Sequence, residues 1–330
     1  MNNDIMMLEQ APPEVVAILP QPPSKLELRY NRLYIVEWLF DDERKTGVEL
    51  QSFIQQNRPR VDVRFHAAYS REDVLAALAR IAEEVEREKT FPILHIEAHG
   101  DEDGEGFHGP AFPQAVRSTD WDTLSFTDVG PYLVRINRAC NANLILFSAA
   151  CWGVSALMAA AKGPIPFMVV VGPTIATYPK HLLDATKEFY RQAFPISGPT
   201  NSLNWVVDAA SLELGNQGDL EKSSMVQLTY QALVSGIWSK CDPDVIRETA
   251  LNMAAASYPD GIVDLGQLPY SRAITALHQD QGRAARVVWE ERLLLDACPE
   301  NLPRFDFDIE GMVRIILNEQ HARADKNSLG

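Results

Sequence analysis

The sequence predicts an α/β fold: a mostly parallel sheet flanked by helices on both faces, followed by a largely helical C-terminal region. Three observations carry that expectation. Almost purely apolar runs of strand length recur at "RLYIVEWLF" (32–40), "FPILHIEA" (91–98), "LILFSAAC" (144–151) and "FMVVVG" (167–172). Runs of this kind suit strands buried on both faces. Helically spaced segments alternate with them, as in a parallel sheet joined by crossovers. From about residue 200 onward the strand signal stops and helical patterns continue.

The elements follow in order. Residues 1–29 contain "APPEVVAILPQPPSK", whose prolines predict a flexible, extended leader. The run at 32–40 is the first strand. "KTGVELQSFIQQN" reads as a helix and "VDVRFH" (61–66) as a short strand. Ser70 with Asp73 has the capping-box pattern, and Val74, Leu78, Ile81 and Val85 recur behind it at helical spacing. After "FPILHIEA" comes an acidic, glycine-rich loop, and then a helix over 128–139 with Val129, Leu133 and Ile136 inward. "WGVSALMAAA" reads as a small-residue helix directly after Cys151, and "HLLDATKEFYRQAF" (181–194) as an amphipathic one. "SLNWVVDAASLEL" and "KSSMVQLTYQALVSGIW" read as helices, and "RFDFD" (304–308) as a short strand. No internal repeat is evident.

Composition narrows the function classes. The 330 residues are 46% hydrophobic and 23% charged, ordinary for a globular chain with a sizeable core. No apolar run reaches the roughly 18 residues of a membrane helix. No basic segment precedes an apolar stretch at the start, so a cytoplasmic protein without a secretory signal is expected. The net charge of −15, with no cluster of Lys or Arg, argues against nucleic acid and anionic lipid as partners. Cys140, Cys151, Cys241 and Cys298 are widely spaced, which suits free thiols better than a disulfide framework or a structural zinc site.

Reactive groups of an open parallel sheet gather beyond the carboxyl ends of its strands. His99 and Cys151 both fall at such ends, 52 residues apart. If the two strands are neighbours, both side chains project into one crevice. A thiolate can attack a carbonyl, and a nearby imidazole can manage the proton. A helix beginning after Cys151 would lower its thiol pKa. The backbone N–H groups of Gly100 and Cys151 could hold an oxyanion. Period-2 alternation puts Glu97 on the face of His99, where it could orient or charge-balance an imidazole.

"ILHIEAHGDEDGEGF" resembles the strand–His–Gly segment of caspase-like (clan CD) cysteine peptidases. "NLILFSAACWGVSALMA" resembles their strand–Cys–small–Gly segment. A His about 50 residues before the Cys is the caspase order. The phrasing is most similar to the CHAT branch, prokaryotic peptidases often fused to helical repeats. The resemblance implies a caspase-like peptidase domain over 30–235, with a helical accessory region at 236–330. It further implies His99 as the catalytic His, Cys151 as the nucleophile and no cofactor. The implied partner is a protein substrate, in some conflict and cell-suicide systems a gasdermin-like pore former. With no repeat ahead of the domain, a regulator would act in trans or through the C-terminal helices. Caspases carry Gln and metacaspases Asp two residues before the nucleophile. Ala149 stands there instead, so neither Asp nor Arg/Lys specificity is expected.

Other readings remain. A catalytically idle interaction module would keep the fold. A metal-dependent hydrolase would use His99, Asp101, Asp103, Glu105 and His108, although the "DEDGEG" run also suits a tight turn and the EF-hand pattern is incomplete. Ser155 lacks the G-x-S-x-G setting of a hydrolase serine, and no glycine-rich nucleotide loop follows any expected strand.

Overall fold

The structure is a computed structural model and describes residues 11–23, 28–100, 102–160, 163–196, 202–215, 218–240 and 270–328. Two compact units emerge: one of residues 27–225 with 297–301, the other of residues up to 26 with 226–296 and 302 onward.

The first unit is the expected α/β layer structure. Its strands are β1 (Arg32–Glu37), β2 (Asp62–Ala67), β3 (Pro92–Glu97), β4 (Gly106–Pro110), β5 (Trp121–Ser125), β6 (Ile145–Ala149), β7 (Val169–Pro173) and β8 (Leu220–Ser224). Six form one sheet in the order β2-β1-β3-β6-β7-β8, and β4 and β5 pair as a separate antiparallel hairpin. All neighbours in the large sheet run parallel except β7 and β8. The central strands β1, β3, β6 and β7 are buried at every position, which is why they read as nearly continuous apolar runs with a few internally paired polar residues.

Helices cover both faces. Helix α2 (Thr46–Asn57) packs with α5 (Pro179–Ala193), and α3 (Arg71–Glu88) with α4 (Phe126–Ala139). Alternation along the strands assigns the faces. His95 reaches Tyr190 of α5 and Glu97 reaches Thr46 of α2, whereas Tyr34, on the other side, reaches Glu84 of α3. The cap expected at Ser70 is present: its Oγ accepts from Asp73 N–H at 3.2 Å. The Asp73 carboxylate accepts in return from Tyr69 N–H, one residue earlier than a capping box requires.

The second unit is helical. It contains α1 (Pro13–Val16), nearly all of α7 (Met225–Lys240) and the helices Tyr270–Arg292, Leu302–Phe305 and Ile309–Ser328. Three expectations change here. Residues 11–23 are not an extended leader. Pro12 and Pro13 sit at the cap and first position of α1, where a missing N–H costs nothing, and Val15 and Leu19 are buried. Glu14 pairs with Arg323, and Gln21 donates to the Tyr230 hydroxyl. The units divide near 225/226 rather than 235/236, because β8 ends the sheet at Ser224 and α7 follows at once. The strand expected at 304–308 is helical at its start: Phe305 is fully buried, and its carbonyl accepts from the Trp289 indole at 3.1 Å. Among the described residues no helix is long and apolar enough to cross a membrane.

Candidate active site

Strands β3 and β6 are neighbours and parallel, with Glu97 opposite Ala149 at the end of their register. His99 and Cys151 each lie two residues beyond that pair. The condition set by the sequence, that the two strands be adjacent, is met.

Close backbone approach seals the arrangement. A Cβ on Gly100 would lie 2.1 Å from the Cys151 carbonyl oxygen, so only glycine fits beside the cysteine. The two candidate oxyanion donors, Gly100 and Cys151, therefore belong to segments in contact. Past Cys151 the chain turns sharply. Trp152 has φ of 50°, in the left-handed region, and Gly153 donates to the Ala150 carbonyl at 3.0 Å. A Cβ on Gly153 would lie 2.2 Å from the Ser148 carbonyl, so this turn too requires glycine. The following segment is not the expected α-helix but a 3₁₀ helix, Gly153–Ala160. Its hydrogen bonds are poorer in geometry, which weakens the dipole argument for the thiol. Cys151 is half-buried, and its Sγ lies 3.8 Å from the Thr177 carbonyl in the loop after β7.

His99 is held from three sides. Its backbone bridges to His108 of the hairpin, each N–H donating to the other carbonyl at 2.9 and 3.0 Å. Its ring meets Trp121 edge-on at 4.8 Å, with Phe40 behind at 6.4 Å. Its Nε2–H donates to Glu43 Oε2 at 2.9 Å. The hairpin is itself fixed by Trp38. The Trp38 indole donates to the Pro110 carbonyl at 3.0 Å, and its ring occupies the space a Cβ on Gly109 would need.

Glu43 is the residue the sequence did not disclose. It sits in the loop after β1, the neighbour of β3, and accepts from Phe40 N–H at 3.0 Å. Its other oxygen faces Arg117 Nε at 3.2 Å. Burial opposes its ionisation. The hydrogen bond and positive charge of His99, with Phe40 N–H and the Arg117 charge, outweigh burial and hold the carboxyl below its ordinary range. The only available cue was position, one of three successive acids beyond a strand end.

Glu97 does not serve His99. One carboxylate oxygen faces His95 Nε2 at 2.9 Å, and the other accepts from the Thr46 hydroxyl at 2.9 Å. His95 is fully buried, and its Nδ1 lies 3.1 Å from the Tyr190 hydroxyl. Beside Glu97 in register, Glu37 accepts from the N–H groups of Gly47 and Val48 at the start of α2. Burial pushes the Glu37 carboxyl up, and the nearby Glu97 charge adds to that rise. These contacts fasten α2 to the sheet directly below the site.

The acidic loop is not gathered around an ion. Asp101 lies outside the described residues. Glu102, Asp103 and Glu105 are exposed, and Gly104 takes φ of 64° in a turn leading into β4. His108 Nδ1 lies 2.9 Å from the Thr123 hydroxyl. Among the described residues no group of three His, Cys, Asp or Glu side chains is placed to hold a metal ion.

The assembled geometry is a thiol and an imidazole at adjacent strand ends, with a carboxylate behind the imidazole. Such a set can perform acyl transfer. Comparison of the sequence with protein-family models and with curated proteins returns no match, so the functional reading rests on this geometry and on the motifs that compose it.

Proposed function

We propose that the protein is a cysteine endopeptidase of caspase-like type, with Cys151 as nucleophile and His99 as acid and base. The observation that supports this reading is the register of β3 and β6, which ends with Glu97 opposite Ala149, two residues short of His99 and Cys151 respectively. In the proposed reaction the Cys151 thiolate adds to a peptide carbonyl, and backbone N–H groups at Gly100 and Cys151 bind the oxyanion. Collapse breaks the C–N bond as His99 gives its proton to the leaving amine. Water, deprotonated by His99, then hydrolyses the thioester and restores the thiol. Glu43 positions the imidazole through its contact with Nε2–H.

The proposed partner is a protein substrate. The CHAT-type resemblance suggests a role in prokaryotic defence or cell death, with a gasdermin-like pore former as one substrate and a regulator acting in trans. A cytoplasmic setting fits a thiol nucleophile, and Cys140, Cys151 and Cys298 carry no disulfide. Cys241 lies outside the described residues.

The test is proteolysis of a co-expressed candidate substrate by wild type, Cys151→Ala and His99→Ala. Loss of cleavage in both variants is expected. Cleavage that survives both substitutions but disappears with a chelator would overturn the assignment.

A further inference from the structure

The walls of the candidate cleft are apolar and its approach is acidic. On the His99 side stands the β4–β5 hairpin. Its Trp121 touches the His99 ring and is 40% exposed, while Phe112 and Val116 in the connecting loop are exposed as well. That loop is tied to the site, since Arg117 pairs with Glu43 and its carbonyl accepts from the Trp121 indole. On the Cys151 side stands the loop after β7. The Ile175 carbonyl accepts from Trp152 N–H at 3.3 Å, and the Thr177 carbonyl lies by the Cys151 sulfur. In this loop Ile175 is exposed and Tyr178 is 68% exposed. Large apolar side chains are thus left in water on the segments that contact His99 and on those that contact Cys151, as at a binding surface.

Charge adds a second constraint. Glu102, Asp103 and Glu105 are exposed and have no ion-pair partner among the described residues. The Gly104 backbone between them lies against Ser155 of the 3₁₀ helix that follows Cys151. On the His99 side two cations are already engaged: Arg117 with Glu43, and Lys45 with the Leu39 and Phe40 carbonyls. At the floor, Ala149 offers no charge, and both Glu97 oxygens are taken.

We propose that this rim binds an extended peptide segment with large apolar side chains adjoining the scissile bond and Lys or Arg a few residues away. The inference names the substrate class of the peptidase reading and rests on it for the cleavage step, while the binding step stands separately. Apolar contacts at a partly open wall discriminate roughly tenfold. The basic flanks act through the acidic approach, so their benefit falls as salt rises.

Two measurements on the full chain test it. Wild type is incubated with a positional-scanning peptide library, and cleavage products are sequenced by mass. Fluorescence anisotropy then follows Cys151→Ala binding to a Leu/Phe peptide flanked by Lys, and to its Asp-substituted counterpart. The expected result is a preference of roughly tenfold for Leu, Met or Phe next to the cut. Tighter binding of the Lys-flanked peptide is also expected, weakened by Tyr178→Ser and, for the Lys contribution alone, by Glu102→Lys with Asp103→Lys. Selective binding without any cleavage would keep the substrate assignment and sink the peptidase reading. Cleavage that requires Asp or Arg at the bond, or shows no apolar preference, overturns the substrate assignment and leaves the peptidase reading intact. Neither binding nor cleavage overturns the assignment too.

Discussion

Replacing Glu43 by glutamine isolates the role of the carboxylate behind His99. The Glu43 side chain is 10% exposed and that of His99 27%, so the 2.9 Å contact between them is shielded from water. A hydrogen bond to a charged partner contributes about 1.5–3 kcal/mol, and charge roughly doubles the strength of the neutral bond. Glutamine keeps an oxygen for Nε2–H and Phe40 N–H but loses the charge. About 1 kcal/mol should therefore disappear, a roughly fivefold fall in any rate that needs the imidazolium. The assay is iodoacetamide alkylation of Cys151 followed by intact mass from about pH 4 to 10, a range spanning both ordinary pKa values. Arg117→Ala should act in the opposite sense, since it leaves the carboxylate to His99 alone. A Glu43→Gln protein that folds normally and alkylates with the wild-type rate and pH profile would refute the reasoning.

Further outcomes can be checked on the purified chain. Gly100→Ala drives a methyl into the Cys151 carbonyl and should cost about 1–3 kcal/mol in urea unfolding while altering Cys151 reactivity; unchanged values in both would contradict the close approach. Glu97→Ala leaves His95 and Thr46 without their buried hydrogen-bond partner and should cost about 1–3 kcal/mol, whereas no measurable loss would mean the network is dispensable. Glu37 and Glu43 should give opposite pH slopes. The raised Glu37 carboxyl stabilises the fold below its ordinary value near 4.3, and that contribution is lost as pH rises through the folded value. Glu37→Gln should therefore gain on wild type from acid to neutral pH. The lowered Glu43 carboxyl stabilises above about 4.3 and loses its contribution as pH falls through the folded value. The Glu43→Gln deficit should accordingly shrink in acid. Thermal unfolding across pH decides both.

The sheet was legible where burial is two-sided. β1, β3, β6 and β7 advertise themselves because every side chain must be apolar or internally paired. β8 escaped because "LEKSS" is an edge strand, pairing on one side and tolerating Glu and Lys. β4 and β5 escaped because "GFHGP" and "WDTLS" form a two-stranded ribbon whose residues respond to Trp38, His99 and Phe126 rather than to a periodic core. His99 and Cys151 could be found because strand ends are visible in sequence. Glu43 could not, since its meaning arises only when the loop after β1 folds over the end of β3. The 3₁₀ turn at Gly153 reflects crowding against Ser148 and Gly172, a tertiary constraint that helical spacing does not encode.

The division of the chain between its two units orders events in time. Everything in the sheet unit except residues 297–301 is synthesised before the latter half of the helical unit exists. Residues 11–23, made before the sheet, must wait for partners more than 200 positions downstream: Gln21 for Tyr230 and Glu14 for Arg323. Such contacts of high sequence separation close slowly. A nascent chain can thus display a finished sheet, with the ends of β3 and β6 already paired, while its helical unit is still open.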